Sequence, residues 1–207
     1  MKRFAAITAA ALGALLATSV GALARDVSCA SSMSGTINGN VDVPANMTCT
    51  LTDVAVTGNV TVDRNAFLTV NGGTISGNVQ GENCFIVNLF ADPAGDPLVV
   101  GGNVQIGNCA GPSGASVAHG PVTIDGNFHC HNNKAPCTAD GVTIGGNVDV
   151  TNNKFNEADF GFTNNVSNNT ITGNLQCEAN DPAPFPYDGP NSVGGHKLGQ
   201  CAADLGF

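Results

Sequence analysis

An all-β solenoid is the fold this chain predicts: a single-stranded, right-handed parallel β-helix of about seven coils. Two observations carry that expectation. Gly-Asn followed by an apolar residue recurs at Gly39, Gly58, Gly77, Gly102, Gly126, Gly146 and Gly173, with glycines 19, 19, 25, 24, 20 and 27 residues apart. Apolar residues also keep one phase around every glycine, and nothing after the N-terminal segment has the pattern of a long amphipathic helix.

In chain order, the first element is an N-terminal segment of export type. Lys2 and Arg3 precede a mostly apolar run from Phe4 to Val20, and Ala22-Leu23-Ala24 is a small-x-small cleavage signal. Residues 1–24 therefore read as a signal peptide, with a secreted (extracellular or periplasmic) mature chain that has no other span-length apolar stretch. Losing Lys2 and Arg3 takes the formal net charge from −9 to −11. Such a chain is not expected to bind nucleic acid or an anionic membrane surface.

The repeat domain is expected over residues 25–178. Two residues before each glycine stand Ile37, Val56, Ile75, Val100, Ile124, Ile144 and Ile171; two after come Val41, Val60, Val79, Val104, Phe128, Val148 and Leu175. Four after come Val43, Val62, Gly81, Ile106, Cys130, Val150 and Cys177, with mostly polar residues between. Each unit thus holds two period-2 strands joined at a Gly-Asn corner, and the longer intervals are the same coil with a loop inserted.

As a two-residue hairpin loop, Gly-Asn would pair Asp125 with Phe128 and Ile124 with His129, setting apolar against polar. A three-residue loop would repair this, so an antiparallel meander or barrel is the runner-up. In a parallel helix each strand stacks about 4.8 Å above its counterpart, making a rod roughly 34 Å long. There the corner Asn is expected to adopt αL and form a ladder.

The 8 cysteines, even in number in an exported chain, read as disulfides. Cys84 and Cys109 each lie seven residues after a repeat glycine, one coil apart. Cys130 and Cys137 bracket a short loop, and Cys29–Cys49 and Cys177–Cys201 would staple the ends. Sequence leaves the connectivity open, since eight cysteines allow about 105 pairings. Residues 179–207, rich in Pro and Gly, read as a C-terminal cap, with residues 25–35 at the other end.

Phrases such as "VGGNVQIGN" and "IGGNVDV", closing with "TITGNLQCEANDPAPFPYDGPNSVGGHKLGQC", resemble a group of secreted bacterial Gly-Asn-Val repeat proteins, mostly uncharacterised. The resemblance implies a pectate-lyase-like right-handed β-helix and carries no catalytic residue across.

The chemistry-bearing stretch is "TIDGNFHCHN", residues 123–132. Its Cys130 falls in the inward column, while His129 and His131 alternate outward. His129 shares a column with Asp149 one coil along, and His131 shares one with Thr151 and Glu178. Asp125, His129 and Asp149 are therefore the candidate catalytic group, an imidazole beside carboxylates. His129, His131 and Asp149 are the candidate ligands for a divalent cation, and no other cofactor is expected. A one-coil neighbour exists for every outward residue, so proximity alone is weak evidence. Stacked acids such as Asp125 with Asp149, or Asp63 with Glu82, supply the carboxylate pair a glycosidase needs. Asp63-Arg64 is the one adjacent acid–base pair on an expected strand. Thr36, Thr74, Thr123, Thr143 and Thr170 form a partial hydroxyl column of the kind ice-binding solenoids use. Phe155, Phe160 and Phe162 read as a core plug.

No P-loop, nucleophile elbow or dinucleotide fingerprint is present. The functional expectation is a non-catalytic extracellular binding module whose partner is a glycan or cell-surface component. A carbohydrate-active enzyme is the alternative, and an ice-binding protein the minor one.

Overall fold

A computed structural model of the chain describes residues 26–111, 116–156, 161 and 163–202, with 116–118 as backbone only. The expected signal peptide, and Phe160 and Phe162 of the expected plug, lie outside those residues. The described chain is a parallel β-solenoid of about eight turns. Strand pairing is parallel at every rung among the described residues, so the meander and barrel fall away.

Each coil turns past three walls. The first wall is a nine-stranded sheet that runs from Val27–Ser28 through Val41–Val43, Val60–Val62, Val79–Glu82, Val104–Gly107, Phe128–His131, Val148–Thr151 and Leu175–Glu178 to Lys197–Gly199. The second and third walls form one twelve-stranded sheet. In two early coils a single strand spans both walls, Thr48–Val56 and Phe67–Ile75. In later coils insertions split it, giving for example Ile86–Phe90 on the second wall and Leu98–Val100 on the third. The two-strand unit expected from the repeat is therefore incomplete. The second wall was not foreseen because insertions shift its phase relative to each glycine.

The three apolar columns that flank the glycines are buried throughout and form one continuous core. Gly81 is the exception in size: a Cβ there would meet Val87 Cγ2 at 2.9 Å and Cys84 Sγ at 3.1 Å. Glycine leaves that volume to the Cys84–Cys109 disulfide. The other pairs are Cys29–Cys49, Cys130–Cys137 and Cys177–Cys201, all as expected, with no free cysteine among the described residues.

The Gly-Asn corners work differently from expectation. Asn40, Asn59, Asn78, Asn103, Asn127, Asn147 and Asn174 do not take positive φ; a different series, Asn46, Asn65, Asn83, Asn108, Asn132 and Asn152, does so at the bend between first and second walls. The ladder itself forms at the corners. Asn59 N donates to Asn40 Oδ1, and the same 2.8 Å bond repeats for Asn78, Asn103, Asn127, Asn147 and Asn174. Asn40 Nδ2 donates to Asp26 Oδ1 at one end, and His196 N donates to Asn174 Oδ1 at the other. Gly195-His196 is thus an eighth corner, hidden in the sequence because His replaces Asn. The segment 179–207 contributes Ser192–Val193 and Lys197–Gly199 as further rungs on the third and first walls.

A second amide ladder is internal. Asn133 N and Nδ2 donate to Asn153 Oδ1, Asn153 N and Nδ2 to Asn180 Oδ1, and Asn180 N and Nδ2 to Gln200 Oε1. Asn153 also gives Nδ2 to the Cys130 carbonyl and Asn180 gives Nδ2 to the Val150 carbonyl. All three asparagines are buried. Their amides meet one another and the backbone, which is what lets polar groups sit in an apolar interior.

Candidate functional site

On a strand, residues two apart point to the same side. The outer face of the first wall therefore carries two columns. One holds Asp42, Thr61, Gln80, Gln105, His129, Asp149 and Gln176; in the other, Glu82, Gly107, His131, Thr151 and Glu178 follow one another in register. His129 and Asp149 are register partners, with Nδ1 and Oδ2 3.9 Å apart and both side chains partly exposed. Thr151 Oγ1 donates to Asp149 Oδ1, holding the carboxylate from its other side.

Asp125 is placed elsewhere. It sits just before the corner, where its N–H donates to the Val100 carbonyl, and it does not line the shallow depression of about 250 Å³ formed by His129, Asn147, Val148, Asp149, Asn174 and Gln176. As for the expected metal group of His129, His131 and Asp149, no three His, Cys, Asp or Glu side chains converge as a metal site among the described residues. His131 lies two residues along the same strand from His129, on the neighbouring column, so the two rings serve different gaps.

The larger depression, about 430 Å³, is lined by Thr61, Val62, Asp63, Gln80, Gly81, Glu82, Gln105 and His131. Gly107 stands between Glu82 and His131 in their shared column. A Cβ at that position would lie 2.6 Å from Glu82 Oε2 and 2.9 Å from His131 Nε2, so a carboxylate and an imidazole two coils apart face one another over a missing side chain. Asn132 Nδ2 reaches His131 Nδ1 at 3.2 Å; an amide nitrogen can only donate, so Nδ1 accepts and Nε2 is left facing the gap. Asn108 Nδ2 donates to Glu82 Oε1 and fixes the carboxylate. Stacking of adjacent coils alone sets Glu82 beside Asp63 and His131 beside Thr151, so the facing pair, two coils apart, does not show in the sequence.

Every lining residue belongs to, or immediately follows, a first-wall strand, and Thr61, Asp63, Gln80, Glu82 and Gln105 are exposed. The depression is an open patch of hydrogen-bonding and acidic groups. Closer to the N-terminal end, burial pushes the Asp42 carboxyl above its ordinary range, and the charges of Asp63 and Asp26 push the same way. A carboxyl raised in the folded state binds its proton more tightly there, so stability falls as pH rises through its range. Asp42→Asn should therefore raise the melting temperature at pH 7 and reduce the fall expected as pH rises from about 4. Thermal scans of both proteins across that range check this; equal curves would contradict it.

One pair went unread in the sequence. His119 Nδ1 lies 2.8 Å from Asp140 Oδ2, with the Asp140 side chain 8% exposed and the imidazole 62%. The partners are 21 residues apart on the unforeseen second wall, which hid them.

No helix among the described residues is long and apolar enough to cross a membrane. The chain matches no family model, no curated protein and no solved structure.

Proposed function

We propose that this chain is a secreted, non-catalytic extracellular module that binds a glycan or cell-surface component on the outer face of its first wall. The secreted, pectate-lyase-like bacterial repeat type belongs to the same reading. The observation that supports it is the make-up of the larger depression: its lining comes entirely from the strand region of one exposed wall. A flat wall of Thr, Gln, Asp, Glu and His side chains suits a hydroxyl-rich ligand lying across several coils. The usual form of an enzyme site, by contrast, is a walled cleft with polar groups converging on the reacting atoms.

The test uses the purified mature protein and a panel of acidic and neutral polysaccharides, with and without Ca²⁺ or Zn²⁺. Affinity electrophoresis reads binding, and release of new chain ends reads cleavage. Retardation by at least one polysaccharide is expected, weakened in a Glu82→Gln/His131→Ala variant, with no chain-end release. Release that vanishes in His129→Ala would replace the module with an enzyme. Failure to bind any of the panel would end the glycan reading.

A further inference from the structure

We infer that the second wall carries a stacking subsite for a neutral glycan, with Phe185 and Tyr187 as its platform. The inference shares with the proposed function only the premise that the ligand is a glycan; it concerns a different wall.

The platform arises from local chemistry. In "APFPYD" the residues alternate: Pro184 and Pro186 are buried, while Phe185 and Tyr187 point out, 42% and 49% exposed. Proline fixes φ near −65°, so the segment is held extended before any ligand arrives. Phe185 N donates to the Asn164 carbonyl, and Thr163 N donates to the Tyr187 hydroxyl at 3.4 Å, tying the segment to the solenoid. The rings meet edge to face, centroids 4.9 Å apart and planes at 62°. That arrangement uses one face of one ring and leaves electron-rich faces open to solvent, the surface on which the C–H side of a pyranose packs.

Polar groups lead away from the platform in a continuous chain. Asn165 Nδ2 donates to Asp188 Oδ2 at 3.4 Å, and Asn165 Oδ1 accepts from Tyr187 N at 3.4 Å. Ser167 Oγ lies 2.8 Å from Asn165 Oδ1 and 3.0 Å from Asp140 Oδ1. Asp140 Oδ2 in turn holds His119 Nδ1. The chain ends on an exposed imidazole whose Nδ1 is committed to a buried carboxylate, which leaves Nε2 for an outside partner. Ser167, Asp140 and His119 occupy successive coils in register, so the strip from Ser167 to His119 spans about 10 Å. Stacking at one end and a directed hydrogen bond at the other fit a short oligosaccharide better than a single ring. Asp188, Asp140 and a formal net charge of −9 make a uronate-rich chain the wrong partner.

Composition supplies the probe. Tyr187 is the one tyrosine and tryptophan is absent, so emission excited beyond the phenylalanine absorption band reports on this site alone. The experiment titrates the full mature protein with neutral tetrasaccharides and, separately, with oligogalacturonate, following tyrosine emission. A saturable change with at least one neutral sugar is expected, with binding weakened about tenfold by Phe185→Ala. Phe185→Leu keeps bulk without the π face and should weaken binding similarly, which separates stacking from misfolding. His119→Gln should weaken it less, and Glu82→Gln/His131→Ala not at all. No emission change with any neutral sugar would overturn the inference, as would a response that survives both Phe185 variants or a stronger response to oligogalacturonate. Glycan binding that is silent at Tyr187 but lost in Glu82→Gln/His131→Ala would sink this subsite and leave the first-wall proposal intact. The opposite result would do the reverse.

Discussion

Gly126→Ala should destabilise the protein by about 3 kcal/mol, although it adds one methyl group at a half-buried corner. The Cβ would sit 2.6 Å from Asn103 Oδ1 and 2.7 Å from the Gly102 carbonyl of the preceding coil. The carbonyl is backbone and cannot rotate away, so the coil spacing itself must open. The two bonds that bring Asn127 N and Nδ2 to Asn103 Oδ1 would then stretch with it. Gly95→Ala is the control: that glycine has φ +96° and nothing within 4 Å of a Cβ, so it should cost only the conformational strain of about 1 kcal/mol. Urea titrations of the two variants measure the contrast. A loss at Gly126 no larger than that at Gly95 would mean that the corner glycine serves backbone freedom rather than close stacking.

Asn153→Leu should cost about as much, roughly 3 kcal/mol, for a different reason. Leucine nearly preserves the volume, so packing is not the issue. Asn133 N loses its acceptor and the Cys130 carbonyl loses a donor, both where water cannot replace them. Asn147→Leu removes a ladder amide of the same kind from an exposed corner, orphaning Asn174 N within reach of water, and should cost about 1 kcal/mol. Equal losses at the two positions would show that burial does not set the value of these ladders.

The features legible in the sequence are those that recur at fixed distance from each glycine. Ile37 through Ile171, Val41 through Leu175 and Val43 through Cys177 share their phase because each coil must bury the same three positions, and the Cys84–Cys109 pair follows from the same phase. The His129–Asp149 partnership was legible for the same reason. What escaped depends on relations across inserted coils. Asn133, Asn153 and Asn180 are separated by 20 and 27 residues and look like loop residues. Asp140 and His119 lie on the wall whose phase the insertions scramble. The Glu82–His131 gap needs a residue without a side chain, two coils wide, and a reading limited to nearest neighbours passes over Gly107. The αL asparagines were assigned to the wrong bend because Gly-Asn dipeptides advertise that conformation. Here the glycine answers to crowding and the asparagine to its carbonyl.

From amide to amide, the outer ladder donates toward the N-terminal end and the inner one toward the C-terminal end. Each must therefore finish on a group that accepts without needing to pass a hydrogen onward. Asp26, a carboxylate, closes the first, and Gln200 closes the second by turning its own amide back onto the Asn180 carbonyl. An uninterrupted middle coil such as residues 58–76 could be excised with like rejoining like, Asn78 meeting Asn40 as Asn59 does now. Removing an end coil instead strips a terminator for which no other coil has a spare. The rod is thus a string of interchangeable links between two clasps of opposite sense, and its length is decided by where the clasps are.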